Sequence, residues 1–170
     1  MFRAVVLIAA VVLVSDQLTK YWAESALSDG HTVSIVGDLL QLRLLYNPGA
    51  AFSIGSEYTW IFAVFAAAAV VAVTVVARRV TSRPWALALG LVLGGAATHL
   101  LDRLFREPGF ARGHVVDFID YAGFFVGNVA DIALVVGVGV VMLLNARGIP
   151  LRGPAAAGEA RTAEQVSPSS

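Results

Sequence analysis

His114–Leu134 reads HVVDFIDYAGFFVGNVADIAL and sets two aspartates, Asp117 and Asp131, among apolar residues. The second falls inside an apolar run, Gly123–Leu144, of about the 20 residues a bilayer-spanning helix requires. A charged side chain at bilayer depth costs roughly 3 kcal/mol or more, so an intramembrane aspartate marks a functional site by default. Two carboxylates that can meet at a membrane surface point to acid–base chemistry on a substrate that is itself in the membrane.

Three further apolar runs lie upstream, at Ala4–Trp22, Thr59–Ala77 and Trp85–Leu104. The composition agrees. Of 170 residues, 58% are hydrophobic and 14% charged, and the mean hydropathy is +0.76, whereas a soluble domain carries about 25% charged residues. Formal net charge is zero, so nothing draws the chain to nucleic acid. With no cysteine, disulfides, thiol catalysis, cysteine metal sites and cysteine lipidation are excluded. The first run follows Arg3 but has no small-residue cleavage site and continues into DQLTKYW, so it reads as a span and not a signal peptide.

The expected fold is therefore an all-α membrane protein. Four transmembrane helices carry a small extracytoplasmic β-like cradle between helices 1 and 2. Within the Glu24–Tyr58 connection, Val33–Val36 and Leu40–Tyr46 are short β-type runs, and Asn47-Pro48-Gly49 is a turn. Residues 1–150 form one membrane domain. Residues 151–170 are small, polar and Pro-bearing and read as a disordered cytoplasmic tail. One set of loops and ends carries Arg3, Arg78, Arg79, Arg83, Arg147, Arg152 and Arg161; the other carries Lys20, Arg43, Arg103, Arg106 and Arg112. Seven cations against five place both termini in the cytoplasm.

With that orientation the polar residues converge on the outer leaflet. Asp16 and Lys20 share a face near the outer end of helix 1. Thr98, His99, Asp102 and Arg103 end helix 3. Asp131 is expected about 10–12 Å below the start of helix 4, and Asp117 in the linker before it. Simpler readings compete: Asp16–Lys20 as an i,i+4 ion pair, Asp102–Arg103 as a helix end, His99 as a packed histidine, Asn128 as an interhelical hydrogen bonder. Gly90 and Gly94 read as packing glycines, Phe124, Phe125 and Trp60 as interfacial anchors, and Asp120 as a solvated acid.

Five blocks, in order, carry a family pattern: Asp16-Gln17-Leu18-Thr19-Lys20; Asn47-Pro48-Gly49-Ala50-Ala51-Phe52-Ser53; Gly94-Gly95-Ala96 with Leu101-Asp102-Arg103; Val115-Val116-Asp117-Phe118-Ile119-Asp120; and Asn128-Val129-Ala130-Asp131. Over about residues 5–145 the chain resembles bacterial lipoprotein signal peptidase, also called signal peptidase II, an intramembrane aspartic peptidase. The resemblance implies cleavage of the signal peptide from diacylglyceryl-modified prolipoproteins at the bacterial inner membrane. It implies a catalytic dyad at Asp117 and Asp131, and substrate-pocket places at Asp16, Lys20, Asn47, Gly49, Arg103, Asn128 and Ala130. It implies membrane lipids and globomycin-type inhibitors as further partners, and no metal or organic cofactor. The chain departs from the pattern at Thr98-His99, where the family has Gly-Asn, so that His99 takes a pocket place. It departs again at Gly127, in place of Phe, and at Ile132, in place of Ser.

Other classes are weaker. His99 and His114 lie in different segments without an H-E-x-x-H pattern. A proton-coupled transporter using Asp16, Lys20 and Asp131 would want a polar path through the midplane, and the inner half is apolar. An assembly protein would have no need of the acid pair.

Overall fold

The computed structural model describes residues 1–49 and 58–152. Its elements run α1 (Phe2–Ala26), β1 (Val33–Val36), β2 (Leu40–Asn47), α2 (Thr59–Ala77), α3 (Arg83–Phe105), β3 (Val115–Tyr121), β4 (Phe125–Gly127) and α4 (Val129–Ala146). All four helices are long and apolar enough to cross a membrane, and the chain is a membrane protein. The expected spans are present, with α1 and α3 a few residues longer at each end.

α3 is the central helix. Twelve of its 23 residues are buried, against three of 19 in α2, and it packs on each of the other three helices. Its glycines make this possible. A Cβ at Gly90 would meet the Ile8 side chain at 2.7 Å, and one at Gly94 would meet Val12 at 2.6 Å and the Ala9 carbonyl oxygen at 2.8 Å. The Gly90-x-x-x-Gly94 spacing thus lets α1 lie against the α3 backbone. On another face of α3, Gly95 receives Leu134 of α4. The outward sides of α1, α2 and α4 expose Leu7, Val11, Val64, Phe65, Val135 and Met142. This apolar rim suits contact with lipid and not with water.

At one end of the bundle sits an antiparallel sheet in the order β1-β2-β3-β4. β1 and β2 fall where the sequence places them. The other half, Val115–Tyr121 and Phe125–Gly127, forms strands where the sequence reads as linker and helix start. The cradle is therefore not built between helices 1 and 2 alone. A turn with Ala122 and Gly123 both at positive φ joins β3 to β4, a geometry that matches the twist of paired strands. Trp22 of α1 meets Phe118 of β3 edge-on, with centroids 6.3 Å apart, and Ala23 and Leu27 complete this contact between sheet and helix.

Helix 4 accordingly starts six residues later than its apolar run. Asn128 caps it, its side chain accepting from the Asp131 N–H while the Asp131 carboxylate accepts from the Asn128 N–H. Asp131 is the third residue of α4 and not a residue 10 Å inside it. An N-cap of this kind satisfies two backbone donors that would otherwise lack partners. At the opposite end, Trp85 Nε1 donates to the Ile149 carbonyl and the Thr81 N–H to that of Leu151. The tail reading, from residue 153 on, lies outside the described residues.

Gly94→Val should lower the thermal unfolding temperature of the protein in detergent, through overpacking worth about 1–3 kcal/mol. Gly139→Ala, whose Cβ would meet nothing within 4 Å, should leave it unchanged. Equal stability of the two variants would refute the close approach of α1 and α3.

Candidate active site

Asp117 stands in the middle of β3, paired across the ladder with Leu45 of β2. Two positions along β2, Asn47 points to the same face, since strand side chains alternate with period two. The Asn47 Nδ2 donates to Asp117 Oδ2 at 3.0 Å, and the Asn128 Nδ2 to Asp117 Oδ1 at 2.7 Å. Neither amide can be turned round without loss. Asn47 Oδ1 already accepts from the Gly49 N–H, and Asn128 Oδ1 from the Asp131 N–H. Both therefore present donors to Asp117.

The second carboxylate is held by the same residue. The Asn128 N–H donates to Asp131 Oδ2 at 2.9 Å, and Asp131 Oδ1 lies 3.1 Å from His99 Nε2. Asp117, Asp131, Asn47, Gly49, His99 and Arg103 line one cavity of about 220 Å³, closed on further sides by Phe62 and Ala66 of α2 and by Phe125 of β4. Burial pushes the Asp117 carboxyl up to about 6; the Asn47 hydrogen bond opposes the rise, the charge on Asp131 adds to it, and Asn128 and His99 oppose it. Between the ordinary carboxylate range and pH 6 the folded chain thus holds a proton that the unfolded chain releases. This group's contribution to stability is full below about pH 4 and is lost as pH rises through about 6.

Asp16, Lys20 and Ala130 stand elsewhere than a pocket wall. Asp16 and Lys20 are completely buried. Lys20 Nζ lies 2.6 Å from Asp16 Oδ2 and 2.6 Å from Asp102 Oδ2. Asp16 Oδ2 also accepts from the Thr98 hydroxyl at 2.6 Å, and Asp16 Oδ1 from the Ala130 N–H at 2.9 Å. Gln17 Nε2 bonds both Thr98 and Asp102, and Arg106 links Asp102 to Glu24. The set touches the cavity wall through the backbone: Asp16 binds the first turn of α4 one residue before Asp131. Among the described residues no buried side-chain nitrogen or oxygen lacks a hydrogen-bond partner. Apolar surroundings enforce this, because an unpaired buried charge costs several kcal/mol.

Arg103 lines the cavity but spends its guanidinium on main chain. It donates to the carbonyls of Asn47 at 3.1 Å, Pro48 at 3.0 Å and Gly113 at 3.0 Å, and to that of Gly49. Its carbon stands 5.4 Å from the centre of the Phe62 ring. It thereby ties the loop leaving β2 and the loop entering β3, which meet at one end of that antiparallel pair, to α3. Residues 50–53 of the second sequence block lie outside the described residues. Asp120 is not a solvated acid: it accepts from Arg43 Nε at 2.6 Å and from the Gly123 N–H, and the Arg43 hydrogen bond holds its carboxyl below the usual range. Phe124 is exposed as an interfacial residue should be, while Phe125 turns in to the cavity. His114 lines a different cavity, beside Tyr46 and Arg106, well apart from any joint site with His99.

Sequence reasoning missed Gln17 as a partner of Asp102, and the cavity walls Phe62, Ala66 and Phe125. The adjacent charges Asp102 and Arg103 in an apolar helix were a signal for the buried network. Nothing in an alanine-rich span singles out Phe62.

A bundle of four helices apolar enough to cross a membrane thus sets two carboxylates on one small cavity beside a sheet, an arrangement suited to a membrane enzyme. The family model described as signal peptidase (SPase) II matches residues 8–146. The lipoprotein signal peptidase of Leifsonia xyli subsp. xyli is 47% identical over 154 residues, covering 88% of this chain and 71% of the relative. That of Rhodococcus jostii is 45% identical over 142 residues, covering 84% and 72%. A bacterial membrane enzyme structure determined in meso at 2.3 Å resolution superposes with a TM-score of 0.74 at 27% identity, over 84% of this chain and 87% of that one. The chain belongs to the signal peptidase II family and is a peptidase.

Lys20→Met should destabilise the protein strongly. It leaves Asp16 and Asp102 facing each other without their shared cation, a loss of about 3–5 kcal/mol. Thermal unfolding in detergent reads this out, and an unchanged midpoint would remove the network from the structural frame.

Proposed function

We propose that this peptidase cleaves the signal peptide from diacylglyceryl-modified prolipoproteins with Asp117 and Asp131 as its catalytic dyad. The observation that carries the reading is Asn128, which binds Asp117 through its side chain and Asp131 through its backbone and so sets both carboxylates on one cavity. Two carboxyl groups so placed do not both ionise easily and share a proton. Burial makes Asp117 the better seat for that proton, while Asp131, facing His99 and a backbone donor, serves as the ionised partner.

In the proposed reaction Asp131 takes a proton from a water held between the acids, and that water attacks the scissile carbonyl. Asp117 donates a hydrogen bond to the developing oxyanion. As the tetrahedral intermediate collapses, the proton gained by Asp131 passes to the leaving amine, and the C–N bond breaks. The apolar flanks of the bundle accept the lipid chains of the substrate, whose burial contributes about 0.8 kcal/mol per methylene. Globomycin-type inhibitors would occupy the same cavity. Arg78, Arg79, Arg83, Arg147 and Arg152 fall at the bundle end opposite the sheet, which supports cytoplasmic termini and a site near the outer leaflet.

In a gel-shift assay with purified protein and a diacylglyceryl-modified prolipoprotein, Asp117→Asn and Asp131→Asn should each lose cleavage by about 10²–10⁴-fold or more. Asp120→Asn should keep most of it, and a chelator should have no effect. Full activity in either dyad variant would sink the assignment.

The pH profile is a separate expectation. If protonated Asp117 is the acid, kcat/KM falls as pH rises through a limb at or somewhat above about 6. A profile that rises through that region would reverse the roles of the two acids.

A further inference from the structure

On the dyad reading above, we propose that His99 is a positioning residue for Asp131, donating from Nε2 to Asp131 Oδ1 and setting a basic ring beside the acid pair. The geometry is specific. Asp131 Oδ2 is already engaged by the Asn128 N–H at 2.9 Å. Its other oxygen has His99 Nε2 at 3.1 Å. The two contacts together fix the plane of the carboxylate. His99 rises from α3 one helical turn before Arg103, so both face the same cavity. Its side chain is about one-fifth exposed and that of Asp131 about one-quarter, which leaves both open to the cavity and to protons.

The charged groups around the imidazole come from several elements. Asp131 stands opposite on α4 and Asp117 on β3; Arg103 follows on α3 itself; all three line the cavity with His99. Lys20 of α1 acts on Asp131 from behind, compensated by Asp16 and Asp102. Tyr121 of β3 feels the charge of Asp131. From α2 the cavity receives Phe62 and Ala66, which carry no charge. With Arg103 committed to four carbonyls, His99 is the basic cavity-lining side chain that contacts Asp131 directly.

Two functions of His99 separate by substitution. Asparagine keeps an N–H donor but cannot titrate; alanine removes both. A protonated His99 favours the ionised form of Asp117, so loss of the cation lets Asp117 keep its proton to higher pH. The sign of the effect follows: without the imidazole charge, the alkaline limb of kcat/KM moves up.

The test is the pH dependence of prolipoprotein cleavage by the full chain in detergent, for the parent, His99→Asn and His99→Ala. His99→Asn should cleave within about fivefold of the parent at its optimum, since a neutral N–H donor still makes a charge-assisted bond to the carboxylate. Its alkaline limb should lie about half a pH unit or more higher. His99→Ala should lose about 10- to 100-fold in kcat with KM nearly unchanged, the range expected for one hydrogen bond to a charged group. Superimposable profiles for the parent and His99→Asn, or a loss in His99→Ala confined to KM, would overturn the proposal. If His99→Ala does not fold, the His99→Asn profile decides alone. Failure of the underlying dyad is distinguishable, because Asp117→Asn would then still cleave whatever His99 does.

Discussion

The structure depends on Asn128. Its side chain caps α4 by accepting from the Asp131 N–H, and its amide group binds Asp117. Its own N–H binds the Asp131 carboxylate. One residue thereby ends a strand, begins a membrane helix and sets the two carboxylates about a single cavity. The helix terminus would otherwise leave backbone donors without partners in an apolar medium, where each costs several kcal/mol. The requirement that starts the helix is the same requirement that builds the site.

Behind this cap lies a fully bonded polar cluster whose job is support. Lys20 sits between Asp16 and Asp102, and Asp16 reaches the Ala130 N–H, so α1, α3 and α4 are locked together one residue from Asp131. Such a cluster adds little net stability over an apolar core of the same shape, because desolvation offsets most of the attraction. Its geometry is nevertheless demanding, since any partner out of place leaves a bare charge. Arg103 does comparable work on the other side, gathering the carbonyls of Asn47, Pro48, Gly49 and Gly113. Charged and paired groups back the cavity on these sides, while α2 closes it with the plain contacts of Phe62 and Ala66.

Much of this was legible without coordinates. The four spans follow from run length and the scarcity of charge, and the first two strands from β-type runs broken by Gly and Pro. Gly90 and Gly94 were legible as packing positions, and all ten named site residues lie at the sheet end of the bundle. The errors share one cause. Apolar residues that feed a helix in a membrane and apolar residues that line a buried strand have the same composition, so Gly123–Asn128 reads as part of helix 4 and β3 as a linker. Asn128-x-x-Asp131 carried the correcting signal, an N-cap followed three residues on by an acid.

By itself the amino-acid sequence determined the membrane class, the order and approximate extent of the spans, and which polar residues had to find partners. Those follow from local quantities: hydropathy, run length and residue type. Only the tertiary structure decided the pairings, because they join positions far apart in the chain. Lys20 meets Asp102, Asn47 meets Asp117, and His99 meets Asp131. It also separated residues that face the cavity from residues that brace it. Asp16 and Asp117 are both aspartates in apolar context, but one is sealed among partners and the other opens on the cavity. That difference belongs to packing, which no local property of the chain encodes.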